Sequence, residues 1–369
     1  MKILVINPGS TSTKVSVFED EEVIFTDSVF HDAPLLLSYP TVPDQTPMRK
    51  EVTRKFLLDR GMDISDMDVI VGRGGGAHTQ KAGVTLIDQK LYEDTKNNVG
   101  GSDHASMLGV LCAYEFAVEY NKVAYTLNPT NIDEFIDEAR LTGISGLYRH
   151  AQSHALNQKA ICELHAKKMG KHIKDTNFVC AHIDGGITIG AHKGGRMIDC
   201  TEGAGGDGPF TPTRLGSIPV LSVCRFLEKG HTTAELRKMC SRAGGFVSHF
   251  GTSDSKKIHA MVEAGDEKAT TVWNAMLYQT AKSIGEMACV LSGKVDAILL
   301  TGGLVRYTDI VEYIKEHCGW IAPIALYPGE VEQEAMAWSV LDAINGKREI
   351  LHYEGKDVFT SFPWDKTVY

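Results

Sequence analysis

One arrangement occurs twice in this chain, and it restricts the fold more than any other feature. Residues 2–7 (KILVIN) and 14–18 (KVSVF) are apolar runs on either side of a polar turn, Asn7-Pro8-Gly9-Ser10-Thr11-Ser12-Thr13-Lys14, and EEVIFTDSV (21–29) follows them. Apolar, β-branched runs bounded by turn residues are strand signals, so the spacing predicts an antiparallel meander. The pattern returns at residue 177 with NFVCAHIDGG (177–186), ITIGAHKGG (187–195) and RMIDCTEG (196–203). Each meander is followed by a buried strand ending in glycine, DVIVGRGGG (68–76) and DAILLTGG (296–303). A further strand completes each set, KVAYTLNP (122–129) and PIALYPGE (323–330). Helical periodicity marks 48–61, 104–120 and 268–293. A strand-strand-strand-helix-strand-helix unit used twice predicts duplicated α/β domains, with glycine turns on the walls of a central cleft.

The chain has 369 residues, enough for two such domains with their own cores. The expected division is 1–152, completed by 335–369, against 153–334. A net charge of −9 with no basic run argues against a nucleic-acid partner. No apolar stretch approaches the roughly 18 residues of a membrane span. MKILVI is too short for a signal peptide. The eight cysteines are scattered, with no CxxC pair, as expected of reduced thiols in a cytoplasmic protein.

The first turn carries more hydrogen-bond donors than a hairpin needs. Backbone N–H groups from Gly9 onward can form a concave nest for phosphate oxygens, with Ser10 and Ser12 adding hydroxyls and Lys14 a charge. It is not a P-loop, because a strand rather than a helix follows. HIDGG (182–186) occupies the same place in the second repeat; Asp184-Gly185 suits a plain hairpin, and equally a second phosphate turn ending in Gly186. Thr301-Gly302-Gly303 closes a buried strand, where glycine lets a ligand approach the backbone or simply turns the chain. GAGGDG (203–208) matches G-x-G-x-x-G in form only, since the prolines that follow forbid the helix a dinucleotide site requires.

Arg73 ends a buried strand beside three glycines, and Arg214 lies in the rigid loop Thr211-Pro212-Thr213-Arg214. Arginine gives a planar, charge-assisted grip on phosphate or carboxylate. His104 either caps the helix it begins or faces a substrate. His182 ends a strand as a site residue or as a satisfied core histidine. Glu330, Glu332 and Glu334 fit the acidic first turn of a helix, or a carboxylate set that holds Mg²⁺.

Taken together, NPGSTSTK, VGRGGG, HASMLG, SHALNQKA, HIDGG, TPTRLG, FGTSD, LTGG and YPGEVE resemble, in order and over nearly the whole chain, the acetate and butyrate kinase family. NPGSTSTK, SHALNQKA and YPGE are most similar to the butyrate kinase and branched-chain fatty-acid kinase forms. The resemblance implies the actin-like, ribonuclease H-like fold shared with sugar kinases and heat-shock ATPases. It implies reversible transfer from ATP to a short-chain carboxylate, giving ADP and an acyl phosphate, with Mg²⁺, and a homodimer or larger assembly. By resemblance, Asn7, Ser10, Ser12 and Lys14 belong to the phosphate and metal turn. Arg73 and Arg214 grip the carboxylate and the moving phosphoryl group. His182 stabilises the transition state, and His104 lies on the substrate side. Asp184, Gly185, Gly186, Gly302 and Gly303 line ATP, with Asp254 near the adenosine. Glu332 is the Mg²⁺-associated glutamate. Asn128 stands where the family usually has an aspartate, so an acceptor oxygen is kept and a charge lost. An acetate or propionate kinase is the first alternative. A non-catalytic actin-like ATP-binding module is the second, and the presence of both arginines argues against it.

Overall fold

The computed structural model describes residues 1–101 and 104–369. Two compact units divide the chain. Residues Met1–Asp133 and Val331–Ser361 form the first, and Glu134–Glu330 with Phe362–Tyr369 form the second. The first division thus falls earlier than the boundary expected at 152. The last eight residues belong to the second unit, where the expectation placed the whole C-terminal stretch with the first.

The first unit holds β1 (Lys2–Pro8), β2 (Ser12–Glu19), β3 (Glu22–Phe30), β4 (Val69–Gly72), β5 (Val84–Leu86) and β6 (Val123–Leu127). In the second unit follow β7 (Asn177–Ile183), β8 (Ile187–Lys193), β9 (Arg196–Cys200), β10 (Ala297–Gly302) and β11 (Ile324–Pro328). The chain then returns to the first unit with β12 (Ile350–Leu351). The first sheet has the order β12-β5-β6-β4-β1-β2-β3 and the second β11-β10-β7-β8-β9. In both, the three-stranded meander is antiparallel and its first strand pairs in parallel with the later buried strand, β1 with β4 and β7 with β10. The series β3-β2-β1-β4-β6 therefore matches β9-β8-β7-β10-β11. This is the duplication expected from the sequence, with β5 and β12 added at one edge of the first sheet.

Strand pairing explains the buried runs. Leu4, Ile6, Val15, Val17 and Ile70 meet Phe56, Leu57, Val110 and Phe116 from the helices Thr46–Leu58 and Met107–Tyr120 in the first core. Val179, Ala181, Ile189, Ile298 and Leu300 meet Trp273, Met276 and Ile284 of the helix Glu267–Val290 in the second. That helix starts where Asp266 accepts a hydrogen bond from Ala269 N, satisfying an otherwise orphaned donor. Its buried residues recur at helical spacing, which fixes the face it turns to the sheet. Between Cys200 and Val220 there is no helix, as the prolines require. Among the described residues, no helix is long and apolar enough to cross a membrane.

Candidate active-site groups

In the first unit, the polar turn closes β1 onto β2. Gly9 N donates to Ser12 O at 2.8 Å, and Asn7 pairs with Lys14. Ser10 is exposed at the tip, while Ser12 and Lys14 are half-buried. Behind the turn lies Arg49, 0% exposed. Its Nη1 donates to Ser12 O at 2.8 Å and Thr13 Oγ1 at 2.9 Å; its Nη2 donates to Gly9 O at 3.2 Å and Gln45 Oε1 at 2.9 Å. All four acceptors are neutral. Burial pulls the Arg49 guanidinium down to about 10, so it remains a cation at neutral pH.

Arg73 follows β4 directly. The helix Met107–Tyr120 comes so close that a Cβ on Gly109 would lie 2.4 Å from Arg73 O, so glycine there lets the strand end settle against the helix. Arg73 Nη2 is 3.0 Å from Glu332 Oε1, and Nη1 donates to Asn7 Oδ1 at 3.3 Å. Asn7 Nδ2 in turn donates to Glu332 Oε2 at 2.8 Å. Three residues from distant stretches are thereby joined. Glu332 opens the helix Glu332–Ile344, where its carboxylate also meets the positive end of the helix dipole. Asn7 Oδ1 and the Glu332 carboxylate are hard oxygen donors of the kind Mg²⁺ takes, so their chemistry suits that ion, and here Arg73 and the Asn7 amide engage these same oxygens. The Asn128 oxygen accepts from Gly83 N at 2.8 Å and so ties β6 to the start of β5. His104 Nδ1 accepts from Ser106 N at 3.2 Å and lies 2.9 Å from Ser106 Oγ, shaping the entry to the helix Met107–Tyr120.

In the second unit, Asp184, Gly185 and Gly186 make the turn from β7 to β8. Asp184 Oδ1 accepts from Gly185 N at 2.7 Å and Oδ2 from Gly303 N at 2.6 Å. The aspartate thus ties this turn to the end of β10. Gly302 has φ +99°, and a Cβ there would come within 2.3 Å of Ile183 O, so only glycine joins the two strand ends this way. Thr211 and Thr213 hydroxyls donate to Gly185 O at 2.8 and 3.0 Å, fastening the TPTR loop to the same turn.

Arg214 ends that loop beside Gly186. Its Nε and Nη1 are buried with no hydrogen-bond partner among the described residues. Burial pulls the group down to about 10, still a cation at neutral pH. A buried cation with unsatisfied donors is costly unless an anion meets it. Glu202 lies in the adjacent glycine loop; burial, reinforced by Asp207 and opposed by Arg149, pushes its carboxyl up to about 7.

His182 is 1% exposed. Its ring stacks on His154 with centroids 4.0 Å apart. Nδ1 is 3.0 Å from Asn157 Nδ2, and Nε2 is 3.8 Å from Glu330 Oε1. His182, Asp184 and Glu330 bring ligand atoms within 4.8 Å of one another. With an imidazole in the set, that group suits Mg²⁺ less well than the oxygens of Asn7 and Glu332 do. Asp254 is exposed and caps the helix Ser255–Glu263, accepting from Lys257 N at 3.1 Å.

Sequence reasoning missed Arg49, whose place on an amphipathic helix reads as a surface charge. It also missed Asn157 and His154 as individual residues, although both lie in SHALNQKA.

Residues 140–317 match the sequence model of the acetokinase family. An acetate kinase from Porphyromonas gingivalis superposes with a TM-score of 0.76 at 17% identity, over 93% of this chain and 99% of that one. A propionate kinase from Francisella tularensis subsp. tularensis SCHU S4 gives 0.72 at 17% identity, over 92% and 98%. An acetate kinase from Entamoeba histolytica gives 0.72 at 14% identity, over 95% and 100%. The sequence match to the acetokinase family model is confined to residues 140–317, within a chain that has the two-unit fold of these acetate and propionate kinases.

Proposed function

We propose that the protein is a carboxylate kinase, transferring the γ-phosphoryl group of ATP reversibly to a short-chain fatty acid, with butyrate and branched four- and five-carbon acids as the preferred acceptors. The observation that carries this reading is the pair of arginines. Arg73 is held by Glu332 and Asn7 at a strand end, and Arg214 has two buried nitrogens without partners among the described residues. A nucleotide-binding module needs neither group. The acceptor carboxylate is already ionised at neutral pH, so no general base is required. Its oxygen forms the new bond to the γ-phosphorus as the bond to the bridging oxygen of ADP breaks. That chemistry asks mainly for alignment and for fixed donors around spreading negative charge.

Each group then has a task. The first turn, with Ser10, Ser12 and Lys14, offers donors to phosphate oxygens. Arg73 orients the carboxylate, and Glu332 and Asn7 orient Arg73. Arg214 and His182 neutralise charge on the phosphoryl group in flight. Asp184 holds Gly303 and Gly185 in a backbone cradle for the nucleotide. Mg²⁺, held by Asn7 and Glu332, would supply charge neutralisation and Lewis acidity to the phosphates.

The alternative acceptors are acetate and propionate, because acetate and propionate kinases share the fold. The deciding experiment traps acyl phosphate as hydroxamate, with ATP and Mg²⁺, from formate through valerate and including isobutyrate and isovalerate. A kcat/KM maximum at four or five carbons supports the butyrate reading. A maximum at acetate or propionate moves the acceptor assignment. No product from any acid, with ATP still bound, sinks the carboxylate-kinase reading.

A further inference from the structure

A chain of buried hydrogen bonds behind His182 determines which of its nitrogens carries the proton. Thr301 Oγ1 lies 2.9 Å from Gly329 O and 3.0 Å from Asn157 Nδ2. A backbone carbonyl only accepts, so the single hydroxyl proton of Thr301 points at Gly329 O. The Thr301 oxygen must then accept, which orients the Asn157 amide with its NH₂ toward Thr301. The second hydrogen of that NH₂ faces His182 Nδ1 at 3.0 Å. Nδ1 therefore accepts, and in the neutral ring the proton sits on Nε2. Asn157 and Thr301 are both 0% exposed, so water does not compete for these bonds.

The stacked His154 ring limits tilting of the imidazole. Around the ring stand His154, Glu330 and Asp184. A ring protonated at Nε2 cannot ligate a cation through that atom, but it can donate to an anionic oxygen.

We propose that Asn157, set by Thr301, is a positioning residue that locks His182 as the Nε2–H tautomer, making it a fixed donor to a phosphate oxygen. The use of that donor in phosphoryl transfer rests on the carboxylate-kinase reading above; the tautomer itself does not. An imidazole with its lone pair at Nε2 would repel the same oxygen, which is why the choice of nitrogen matters.

The experiment is ¹⁵N NMR of the full chain labelled at histidine, with the His182 signals identified by their loss in His182→Gln. The expected spectrum has a pyridine-type Nδ1 and a pyrrole-type Nε2, and Nε2 moves when a non-hydrolysable ATP analogue is added. In Asn157→Asp, measured at a pH where the ring is neutral, the carboxylate only accepts, so the proton moves to Nδ1. kcat then falls at least about a hundredfold, the typical loss for one removed transition-state donor. Should that variant not fold, Thr301→Val removes the element that orients the amide, and Thr301→Ser restores it. The proposal requires mixed tautomers and lower kcat in the valine variant, and recovery of both in the serine variant. A wild-type ring protonated at Nδ1 overturns the lock. An inverted tautomer with unchanged kcat overturns its role. If no acid yields acyl phosphate while the Nε2–H spectrum and its response to the ATP analogue stand, the lock and its phosphate contact hold and the acceptor reading fails.

Discussion

Arg214 lies across Gly186 so closely that a methyl group on that glycine would come within 2.3 Å of Nη1. The guanidinium is therefore seated by the absence of a side chain in the turn. Gly186→Ala must displace it, whereas Gly185→Ala meets nothing within 4 Å. Both positions lie outside the left-handed region, so backbone strain does not separate them. The expected outcome is a kcat lowered about tenfold or more in Gly186→Ala, from misplacement alone. Gly185→Ala leaves Arg214 in place, so its kcat at saturating ATP should stay within about twofold even where a methyl group in the proposed nucleotide cradle raises the KM for ATP. Melting temperatures should be similar for both. Arg214→Ala sets the floor, at least about a hundredfold down. Equal kcat in the two alanine variants would show that the seat of Arg214 on Gly186 does not matter to turnover.

The Arg73–Glu332 pair gives the second prediction. Glu332 is 2% exposed, and both its oxygens are engaged, by Arg73 and by Asn7. Glu332→Gln keeps the shape but leaves the Arg73 charge without its partner. Breaking a buried pair from one side costs about 3 kcal/mol. Urea melts without nucleotide should show that loss. The Mg²⁺ concentration for half-maximal activity should rise at least about tenfold, since a neutral amide replaces the carboxylate proposed to hold the ion. An unchanged urea midpoint would mean that another group neutralises Arg73.

Much of this arrangement was legible because it depends on local pattern. The two polar turns, the glycines at the ends of β4 and β10, and the duplicated meander each follow from apolar runs broken by turn residues. What the sequence does not display is partnership across the fold. Asn7, Arg73 and Glu332 stand out separately, but only the parallel pairing of β1 with β4 brings Asn7 and Arg73 together. Arg49 is hidden for the opposite reason. A charged residue on a helix normally lies in solvent, and its burial becomes intelligible only once two turn carbonyls are placed over it. Asn157 is silent because its effect passes through Thr301, far along the chain. The helix expected at 104–120 starts three residues later, since His104 and Ser106 form its entry turn.

Glu202 supplies a pH prediction. Its folded carboxyl lies at about 7 against an ordinary value of 4.5, chiefly through burial. Below the ordinary value both states hold the proton and it has no effect. Between roughly pH 4.5 and 7 the unfolded chain releases the proton while the folded chain keeps it, so stability falls as pH rises. Above that window the penalty is constant. Glu202→Gln should therefore melt higher than wild type at pH 8, with the difference shrinking toward zero near pH 4. Thermal melts across this range decide it. A difference that grows toward acid would reverse the sign and show that the ionised carboxylate is stabilised in the fold.

Arg49 separates charge from geometry at the first turn. Its two η nitrogens bond Gly9 O and Ser12 O, the carbonyls flanking the turn, and also Thr13 Oγ1. Thr13 Oγ1 is 2.8 Å from His31 Nε2, and His31 is pushed down to about 4 by burial and then by the Arg49 charge. Arg49→Met removes charge and bonds together. It leaves two turn carbonyls without that donor and should cost several kcal/mol, since each unsatisfied buried group costs roughly 1–3 kcal/mol. The His31 pKa should rise while staying below its ordinary value, because burial remains. Arg49→Lys keeps a positive charge but not the planar fork that spans both carbonyls. It should hold the His31 pKa low, as NMR titration would show, yet reduce kcat/KM for ATP about tenfold through loosening of the turn. If the lysine variant instead keeps full kcat/KM, the turn needs only the buried charge. If both folded variants keep it, Arg49 supports the fold and not the proposed phosphate turn, and the donors of Ser10, Ser12 and Lys14 are set by the β1–β2 register alone.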